Sequence, residues 1–336
     1  MGKAMTKTVL ITGAAGFIGF HLSKLLLAEG WRVVGVDGMT PYYDPALKEG
    51  RLAQLSGDLR FERGLIETPG LLMRLMAEEK PRAVVHLAAQ AGVRYSIEAP
   101  RSYVEANLIG TYELLEAARA HPPAHLMLAS TSSVYGANEK VPFAETDKVD
   151  RPMSFYAATK MATEGMAHSY AHLYHLPVTM FRFFTVYGPW GRPDMALFKF
   201  TRAILAGEPI DIYNNGEMAR DFTYVEDLVE GIRRLIAVAP GTVSAGPMDS
   251  LSPVAPFRAV NIGNAAPVPL MDFVAAVERA TGRVAEKNFL PMQAGDVPRT
   301  WASDELLRAL VGALPRTPLD EGVGAFVRWY RNWAGV

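Results

Sequence analysis

Short apolar runs alternate with longer amphipathic segments along the first half of the chain. The short runs are rich in valine, isoleucine and leucine and scarcely alternate with polar residues, which predicts strands covered on both faces. Segments with a helical pattern lie between them, so the order of elements predicts βαβ units and a parallel sheet. The predicted strands are Thr8–Thr12, Arg32–Asp37, Ala83–Leu87, His125–Ser130 and Pro177–Phe183, and the predicted helices are Phe17–Ala28, Gly70–Glu79, Pro100–His121 and Ser154–His175.

The pattern changes after about residue 184, where proline and glycine become frequent and the regular segments are shorter. Ala239–Pro256 contains four prolines, two glycines and three serines, a composition that predicts a surface loop. We interpret this half of the chain as a smaller lobe of mixed structure. Its candidate elements are Lys199–Ala206, Ile210–Tyr213, Val225–Ala237, Leu270–Thr281 and Leu319–Trp333.

Composition and charge narrow the classes of function. The chain has 336 residues, 49% of them hydrophobic and 21% charged, which is enough apolar material for a sizeable core. Lysine plus arginine (34) nearly balances aspartate plus glutamate (35), and no basic stripe is present, so we expect no nucleic-acid partner. The absence of cysteine excludes zinc thiolate sites, iron–sulfur clusters and cysteine nucleophiles, and we predict no metal site.

The first residues superficially match two targeting patterns. Lys3 and Lys7 precede the apolar run Val9–Phe20, as in a secretory signal, but glycines interrupt that run and no clear cleavage site follows. Met1–Thr6 fits the myristoylation pattern, which is short and common. No stretch reaches the ~18 apolar residues of a membrane span. We therefore expect a soluble cytoplasmic protein without a membrane partner.

Three glycines follow the first predicted strand at a spacing typical of a phosphate-binding turn. Gly13, Gly16 and Gly19 form the pattern GxxGxxG at the start of a predicted helix. Glycine permits the tight turn and lets backbone amides and a helix N-terminus approach a pyrophosphate. Asp37 ends the next strand, where an acid accepts both ribose hydroxyls and repels a 2′-phosphate. Because no arginine or lysine directly follows Asp37, this combination predicts a dinucleotide site that prefers NAD to NADP.

Tyr156 and Lys160 stand four residues apart at the start of a predicted helix, so they share one helix face. Such a pair alone is typical of an ordinary helix, for which Ser154 is the predicted N-cap. A lysine ammonium and a positively charged nicotinamide ring beside a tyrosine would favour its phenolate and lower its pKa. The hydroxyl-rich Ser130–Ser133 ends the preceding strand, where parallel sheets place ligand-binding residues. Together with a dinucleotide site, these residues predict an acid–base centre.

These motifs resemble the extended short-chain dehydrogenase/reductase family, and further segments resemble its UDP-glucuronate 4-epimerases. The similarity runs from about Thr8 to Trp333. Arg192–Met195 is the segment most specific to epimerases of acidic sugars. The segments that carry the resemblance are Tyr42–Lys48, Gln90–Ser96, Ser130–Gly136, Tyr156–Lys160, Phe184–Met195 and Arg220–Val225, together with the glycine turn.

The resemblance implies an α/β fold, with a doubly wound parallel sheet of the Rossmann type and a smaller C-terminal substrate lobe. The NAD-binding domain would comprise residues 1–183 and a returning segment at about 223–262, and the UDP-sugar lobe would comprise residues 184–222 and 263–336. Tightly bound NAD is implied, because the reaction regenerates it in every cycle. A homodimer is implied as well, paired through Pro100–His121 and Ser154–His175.

The resemblance also implies a reaction, the interconversion of UDP-glucuronate and UDP-galacturonate. Tyr156 would remove the proton of the sugar 4-hydroxyl while hydride leaves C4 for NAD. The 4-keto sugar would then turn over in the pocket and receive the hydride on its other face. Thr131 would hydrogen-bond the 4-oxygen, and Lys160 would hold the nicotinamide ribose and bias Tyr156.

Further residues match the ligand-binding positions of this family. One position departs from it, because Gly64 stands where an aspartate usually contacts adenine, and Asp58 lies six residues earlier. The implied cofactor-binding residues are Gly13, Ala15, Gly16, Phe17, Ile18, Gly19, Asp37, Leu87, Ala88, Ala89, Gln90 and Asn107, with Tyr156 and Lys160. The implied substrate-binding residues are Arg94, Thr131, Ser132, Ser133, Thr185, Arg192, Arg220, Gln293 and Asp296, the last two toward the uridine.

The carboxylate of such a substrate makes an unwanted decarboxylation possible. A 4-keto sugar with a carboxylate on C5 is a β-keto acid and can lose carbon dioxide unless the carboxylate is restrained. The positions expected to hold the carboxylate are Ser132, Ser133, Thr185 and Arg192, with Arg192 offering a charge-assisted contact.

Two alternative functions remain open at this stage. A 4-epimerase of a neutral UDP-sugar, such as UDP-glucose or UDP-N-acetylglucosamine, would not need Arg192 beside Thr185. A non-catalytic NAD-binding protein would not need Tyr156 and Lys160, and such proteins tend to lose one or the other.

Overall fold

The computed structural model describes residues 7–241, 243–293 and 295–336, so the acylation pattern at Met1–Thr6 lies outside the described residues. The strands are β1 Thr8–Thr12, β2 Arg32–Asp37, β3 Leu59–Arg63, β4 Ala83–His86, β5 His125–Thr131, β6 Val178–Phe183, β7 Thr185–Tyr187, β8 Ile210–Ile212, β9 Ala219–Tyr224, β10 Phe257–Ile262, β11 Pro267–Pro269 and β12 Lys287–Phe289. The helices are α1 Phe17–Ala28, α2 Pro45–Leu52, α3 Leu71–Glu79, α4 Tyr95–Glu98, α5 Pro100–Tyr103, α6 Gly110–Ala120, α7 Phe155–Tyr174, α8 Ala196–Ala206, α9 Val225–Leu235, α10 Leu270–Thr281, α11 Glu305–Val311 and α12 Leu319–Ala334. None of the helices described here is both long enough and apolar enough to cross a bilayer.

Seven parallel strands form the central sheet, in the order β3-β2-β1-β4-β5-β6-β10. The direction of winding reverses between β1 and β4, which are neighbours in the sheet although two strands separate them in the chain. Helices α1 and α9 pack on one face of the sheet, and α3, α6 and α7 pack on the other. This arrangement confirms the predicted doubly wound α/β fold.

The central strands are apolar on both faces because each face meets a separate core. In β1, Val9 and Ile11 belong to the core beneath α1, whereas Leu10 belongs to the core beneath α3 and α6. All residues of β1, β4 and β6 are buried. Strands β1 and β2 have the predicted bounds, and β4, β5 and β6 differ from the prediction by one residue at one end.

Two strands of the sheet escaped the sequence prediction because polar residues interrupt them. β3 lies half-buried at the sheet edge, where Arg60 pairs with Glu79 at 2.6 Å. β10 contains a buried arginine, Arg258, whose Nε lies 2.7 Å from a carboxylate oxygen of Asp249. Each charge is compensated by a partner outside its own strand, so the local pattern conceals a strand that the fold accommodates.

The segment predicted as the single helix Pro100–His121 is interrupted. α5 passes into a π-helical turn, Val104–Ile109, before α6 begins. Such turns are frequent at functional sites. This one carries the buried Asn107, whose Nδ2 donates to Thr159 Oγ1 in α7 at 3.0 Å. The irregular turn thereby holds α7 at the residue next to Lys160.

The remaining strands build two small sheets, β11-β9-β7 and β12-β8, against which α8, α10 and α12 pack. The core of this region is aromatic, with the Phe222 and Phe273 rings stacked at 4.0 Å. Asp221 at its edge is fully buried and accepts hydrogen bonds from the backbone N–H groups of Asn264 and Ala302. That carboxylate joins β9 to the segments around it.

Ala239–Pro256 contains neither helix nor strand in its described part, as the sequence predicts. Two histidines of α7 hold this loop. His168 Nε2 lies 2.8 Å from Ser252 Oγ, and His172 Nδ1 lies 2.8 Å from the carbonyl oxygen of Val254. The loop therefore covers part of α7.

A buried ion pair joins α7 to β5 and β6. Glu164 accepts two hydrogen bonds from Arg182, at 2.8 and 3.0 Å, and one from Ser130 Oγ at 2.6 Å. Arg182 also donates to the hydroxyl of Tyr135 at 3.1 Å. All four residues are buried. Removing one charge would leave the other desolvated and unpaired.

We predict that Glu164→Ala lowers the free energy of unfolding by about 3–5 kcal/mol, because the buried Arg182 loses its counter-ion. Urea unfolding followed by tryptophan fluorescence measures the change. Glu49→Ala is the matched control, since Glu49 pairs with Arg63 on the exposed surface and its loss should have little effect. Equal losses in the two variants would contradict the prediction.

Candidate active site

A cleft opens at the carboxyl ends of the parallel strands, beside the point where the direction of winding reverses. Open α/β sheets place their ligands at this edge. The turn after β1, the ends of β2, β4 and β5, and the start of α7 all contribute to it. The residues predicted for the site that line this cleft are Gly13, Gly16, Phe17, Ile18, Gly19, Asp37, Leu87, Ala88, Ala89, Gln90, Thr131, Tyr156, Lys160 and Arg192.

The glycine turn leaves no room for side chains. Gly13 has a φ of 71°, and a Cβ atom there would lie 2.8 Å from the backbone nitrogen of Ala88. A Cβ atom on Gly16 would lie 2.9 Å from the carbonyl oxygen of Gly13. α1 begins directly after Gly16, and no side chain caps its first N–H groups. The turn therefore fits an anion such as a dinucleotide pyrophosphate.

Asp37 is buried at the end of β2 and is already paired. Its Oδ1 accepts from Lys48 Nζ at 3.0 Å and from the backbone N–H of Met39 at 2.8 Å, and its Oδ2 accepts from the Ala15 N–H at 3.2 Å. Ala15 itself does not line the cleft but orients this carboxylate. Lys48 was not predicted as a site residue, although it ends the segment Tyr42–Lys48 that the sequence singles out.

Arg51 connects the glycine turn to a loop on the far side of the cleft. Its side chain is fully buried and donates to the carbonyl oxygens of Ala15, at 2.9 Å, and Trp190, at 2.7 Å. It also donates to the Tyr43 hydroxyl at 2.7 Å. Sequence reasoning missed this role, because nothing local to α2 indicates a partner 139 residues away.

Tyr156 and Lys160 both line the cleft from the first turns of α7. The predicted N-cap is present, since the Ala157 N–H donates to Ser154 Oγ at 3.1 Å. Lys160 Nζ donates to the carbonyl oxygen of Ala129 at 2.8 Å, which fixes the lysine against β5. Thr131, at the end of β5, lines the same space.

Burial works against the charged forms of both residues. It lowers the pKa of Lys160 to about 8, although the nearby Glu164 carboxylate opposes this shift. Burial also raises the pKa of Tyr156, while a hydrogen bond from Thr131 and the positive charge of Arg192 act in the opposite direction. Additional positive charge in the cleft would favour the phenolate of Tyr156.

Asn107 does not line the cleft, although the sequence assigns it to the cofactor. Its amide is engaged with the backbone of Gln90, accepting from the N–H at 2.9 Å and donating to the carbonyl oxygen at 3.1 Å. Gln90 forms part of the cleft wall. Asn107 thus fixes the wall from behind.

Arg192 lines the cleft, but its guanidinium is not free. Nε donates to Asp194 Oδ1 at 2.9 Å, and Nη2 donates to Asp194 Oδ2 at 2.5 Å. The Tyr42 hydroxyl donates to the same carboxylate at 3.2 Å. The sequence segment Arg192–Met195 contains both partners, yet sequence reasoning assigned no role to Asp194 or Tyr42.

Three of the hydroxyl residues predicted to hold a substrate carboxylate lie beside the cleft rather than on its wall. Ser132 and Ser133 form the 3₁₀ turn after β5, where Thr131 Oγ1 accepts from the Ser133 N–H at 3.2 Å. Thr185 lines a small adjoining cavity to which Arg192 also belongs. The structure thus gathers these residues around Thr131 and Arg192.

The predicted nucleotide-binding residues form a separate cluster outside the cleft lining. Asp296 lies 3.6 Å from the Arg94 guanidinium and 3.9 Å from that of Arg220. The Arg94 guanidinium stands over the Tyr213 ring, 4.8 Å from its centroid. Near them, the side-chain oxygen of Gln293 is buried without a hydrogen-bond partner among the described residues. The cluster has donors, an aromatic face and an unsatisfied acceptor for a polar ligand.

Gly64, which stands where the family usually has an aspartate, lies at the rim of the cleft. The Gly64 N–H donates to the carbonyl oxygen of Asp37 at 3.1 Å, and the next residue, Leu65, lines the cleft. Asp58, the other candidate, pairs with Arg32 at 2.6 Å at the opposite end of β3. Asp58 is therefore excluded from an adenine contact.

Among the residues described by the structure, no group of three or more His, Asp or Glu side chains has the geometry of a metal site.

Comparisons with known proteins agree with this geometry. Residues 9–246 match the model of the NAD dependent epimerase/dehydratase family. The chain is 59% identical to a probable UDP-glucuronate 4-epimerase of Rhizobium meliloti over 96% of both chains. It is 47% identical to UDP-glucuronate 4-epimerase 4 of Arabidopsis thaliana, covering 97% of this chain and 76% of that protein.

A solved structure extends the agreement to three dimensions. The UDP-glucuronic acid 4-epimerase of Bacillus cereus, in complex with UDP-glucuronic acid and NAD, superposes with a TM-score of 0.86 at 32% identity. The match covers 97% of this chain and 99% of the other. The chain therefore belongs to the NAD dependent epimerase/dehydratase family.

Proposed function

We propose that this protein is an NAD-dependent 4-epimerase that interconverts UDP-glucuronate and UDP-galacturonate. The observation that carries the proposal is the convergence of Tyr156, Lys160, Thr131 and Arg192 on one cleft that begins at the glycine turn. The names of the relatives support the choice of an acidic sugar. The cytoplasmic location expected from the sequence forms part of this proposal.

The glycine turn and Asp37 would hold the cofactor. The turn offers N–H groups to the pyrophosphate, and Asp37 offers an acceptor to the ribose hydroxyls, with Lys48 fixing its orientation. When bound, NAD supplies an acceptor and donor of hydride at the sugar C4. Since Arg51 ties the turn to Trp190 across the cleft, we propose that the cofactor is held tightly.

Tyr156 would accept the proton of the sugar 4-hydroxyl and would later return a proton to the same oxygen, when hydride is restored to the opposite face of C4. Lys160 lies on the same helix face, and its ammonium favours the phenolate. Thr131 would hydrogen-bond the 4-oxygen, which becomes a ketone oxygen halfway through the cycle. Between the two proton transfers the 4-keto sugar has to turn over, so the sugar contacts must permit rotation.

The carboxylate of the substrate would lie between Thr131 and Arg192. Ser132 and Ser133 follow Thr131 in the chain, and Thr185 lines an adjoining cavity with Arg192. Their hydroxyls would restrain the β-keto acid against loss of carbon dioxide. At the other end of the substrate, Arg220 would neutralise the diphosphate. Arg94, Asp296 and Gln293 would complete the nucleotide site.

A neutral UDP-sugar remains the alternative substrate class. It would use the same Tyr156 and Lys160, so these residues do not distinguish the two classes. Arg192 does, because a guanidinium in contact with a neutral sugar forms no ion pair with it, whereas a carboxylate forms a charge-assisted hydrogen bond with opposite charges on the two partners. A non-catalytic role is disfavoured by the intact acid–base pair.

The reaction is tested by incubating the purified protein with UDP-glucuronate, without added NAD, and following UDP-galacturonate by NMR. We predict conversion by the native chain and a loss of about 10²–10⁴-fold in Tyr156→Phe, because the ring still packs while the proton acceptor is removed. Bound NAD should be unchanged in this variant, which serves as the control for folding. Activity of Tyr156→Phe within about threefold of the native rate, far short of the general acid–base range, would exclude Tyr156 as the base.

We predict that the protein purifies with NAD(H), which chromatography of acid-released nucleotide measures. Gly13→Ala should abolish this retention, since the added methyl group meets the Ala88 backbone. Gly30→Ala is the matched control: Gly30 has a similar φ of 76°, but a Cβ there has no atom within 4 Å. NADP(H) as the major nucleotide would contradict the role given to Asp37.

We propose a homodimer, which exposed apolar side chains on and next to the helices on one side of the large sheet support. α6 and α7 pack against each other there, in the two regions that the sequence nominates for pairing. A second copy of this chain would cover the face. Its exposed apolar residues are Ile97, Val104, Ile109, Tyr112, Met153, Phe155, Leu173 and Tyr174.

Light scattering at micromolar concentration should show a dimer, and Ile109→Glu should shift the protein toward the monomer, because a charge in an apolar interface is desolvated without a partner. Val284→Glu, which alters an exposed apolar residue far from this face in the sequence, should leave the mass unchanged. A native chain that is monomeric at this concentration would refute the dimer.

A further inference from the structure

The carboxylate of Asp194 occupies the same donors of Arg192 that would recognise a substrate carboxylate. Nε and Nη2 form the edge of a guanidinium that binds a carboxylate in a two-point contact, and both are engaged with Asp194. Within the described ranges, Nη1 makes no hydrogen bond to the protein. The protein therefore already contains an internal carboxylate in contact with its candidate specificity residue.

The surroundings hold this pair in place. Tyr42 donates to Asp194 from the segment after β2, and its ring packs on Tyr95 with centroids 4.8 Å apart. Gly92 closes the other side, since a Cβ there would lie 3.1 Å from the Tyr42 hydroxyl and 3.8 Å from Arg192 Nη2. The pair is thus fixed by two segments far from it in sequence.

The net charge of the Arg192–Asp194 pair determines how strongly the cleft attracts a substrate carboxylate. An unpaired guanidinium in a water-poor cleft attracts an anion strongly, because the effective dielectric constant is low. With Asp194 attached, the pair is close to neutral, and a substrate carboxylate gains a hydrogen bond without a full ion pair. Tight binding of the substrate alone does not accelerate the chemical step, and here it would oppose rotation of the keto sugar.

We propose that Asp194 is a specificity-determining residue that offsets the charge of Arg192 and so weakens the binding of the sugar carboxylate in the cleft. The inference rests on the proposed function and extends it to a residue that only the structure reveals. Asp194 acts here through Arg192 and is a positioning residue rather than a catalytic one.

Binding to the NAD-loaded protein tests the proposal. Calorimetry in the Tyr156→Phe background, which prevents turnover, compares UDP-glucuronate with UDP-glucose. We expect Asp194→Asn to tighten binding of UDP-glucuronate about three- to tenfold, because the counter-charge is lost while a similar side chain remains. Binding of UDP-glucose should change less than twofold, which also reports that the variant is folded.

Three further variants separate charge from shape. Asp194→Glu keeps the charge and should bind UDP-glucuronate within about twofold of the parent, because the interaction with Arg192 is mainly electrostatic. Arg192→Ala should weaken UDP-glucuronate binding about ten- to a hundredfold, the range of a charge-assisted hydrogen bond, and leave UDP-glucose nearly unaffected. Asp58→Asn, the remote control, removes the same charge at the far end of β3 and should change neither affinity.

Unchanged or weaker binding of UDP-glucuronate by Asp194→Asn would overturn the role of Asp194, as would equal tightening of both sugars. The proposed function fails by a different result, namely no conversion of UDP-glucuronate by the chain with Tyr156 intact. Conversion together with unaltered binding by Asp194→Asn rejects only the present inference.

Discussion

The backbone N–H and carbonyl groups of Ala15 connect the two sides of the cleft. Its N–H donates to Asp37 and its carbonyl oxygen accepts from Arg51, which in turn donates to the carbonyl oxygen of Trp190. This arrangement requires the glycines around Ala15, because a side chain on Gly13 would push the turn off Ala88. The tight turn thus does more than make room for a pyrophosphate: it sets the position of the acid at β2 and of the loop that carries Arg192.

Three carboxylates in or beside the cleft are each paired with a cation of the protein. Asp37 pairs with Lys48, Glu164 with Arg182, and Asp194 with Arg192. Buried charges are tolerated only when they are paired and hydrogen-bonded. Pairing also keeps the carboxylates and guanidinium groups in fixed directions, so that a ligand meets oriented donors and acceptors rather than mobile charges.

The parts of the fold that the sequence predicts are those governed by local pattern. β1 and β2 are apolar on both faces, and the Ser154 cap and the glycine turn are chemical signals a few residues long. What escaped prediction depends on contacts between different elements, which a local pattern does not show. β10 contains a buried arginine that is acceptable only because Asp249 lies beside it, and Lys48 reaches the cleft only because β2 and α2 fold together.

Some residues of the candidate site were likewise predictable from local motifs, whereas others depend on contacts between separate segments. Tyr156, Lys160 and the glycines were predictable because each belongs to a compact motif, and the structure places all of them in one cleft. Asp194 lies two residues after Arg192 in the sequence. The sequence alone does not show which acceptor pairs with the Arg192 guanidinium. The bidentate contact depends on the local turn and on Tyr42, a residue 152 positions away.

The same burial that assembles the acid–base pair also restrains it. Burial raises the pKa of Tyr156 and lowers that of Lys160 to about 8, so in each case it disfavours the charged form. Arg192 is the nearby cation that opposes this for Tyr156, and its own charge is offset by Asp194. More positive charge beside the ring would favour the phenolate, and an oxidised nicotinamide would supply such a charge. Under the proposed function, proton removal by Tyr156 would therefore be favoured when a hydride acceptor is bound.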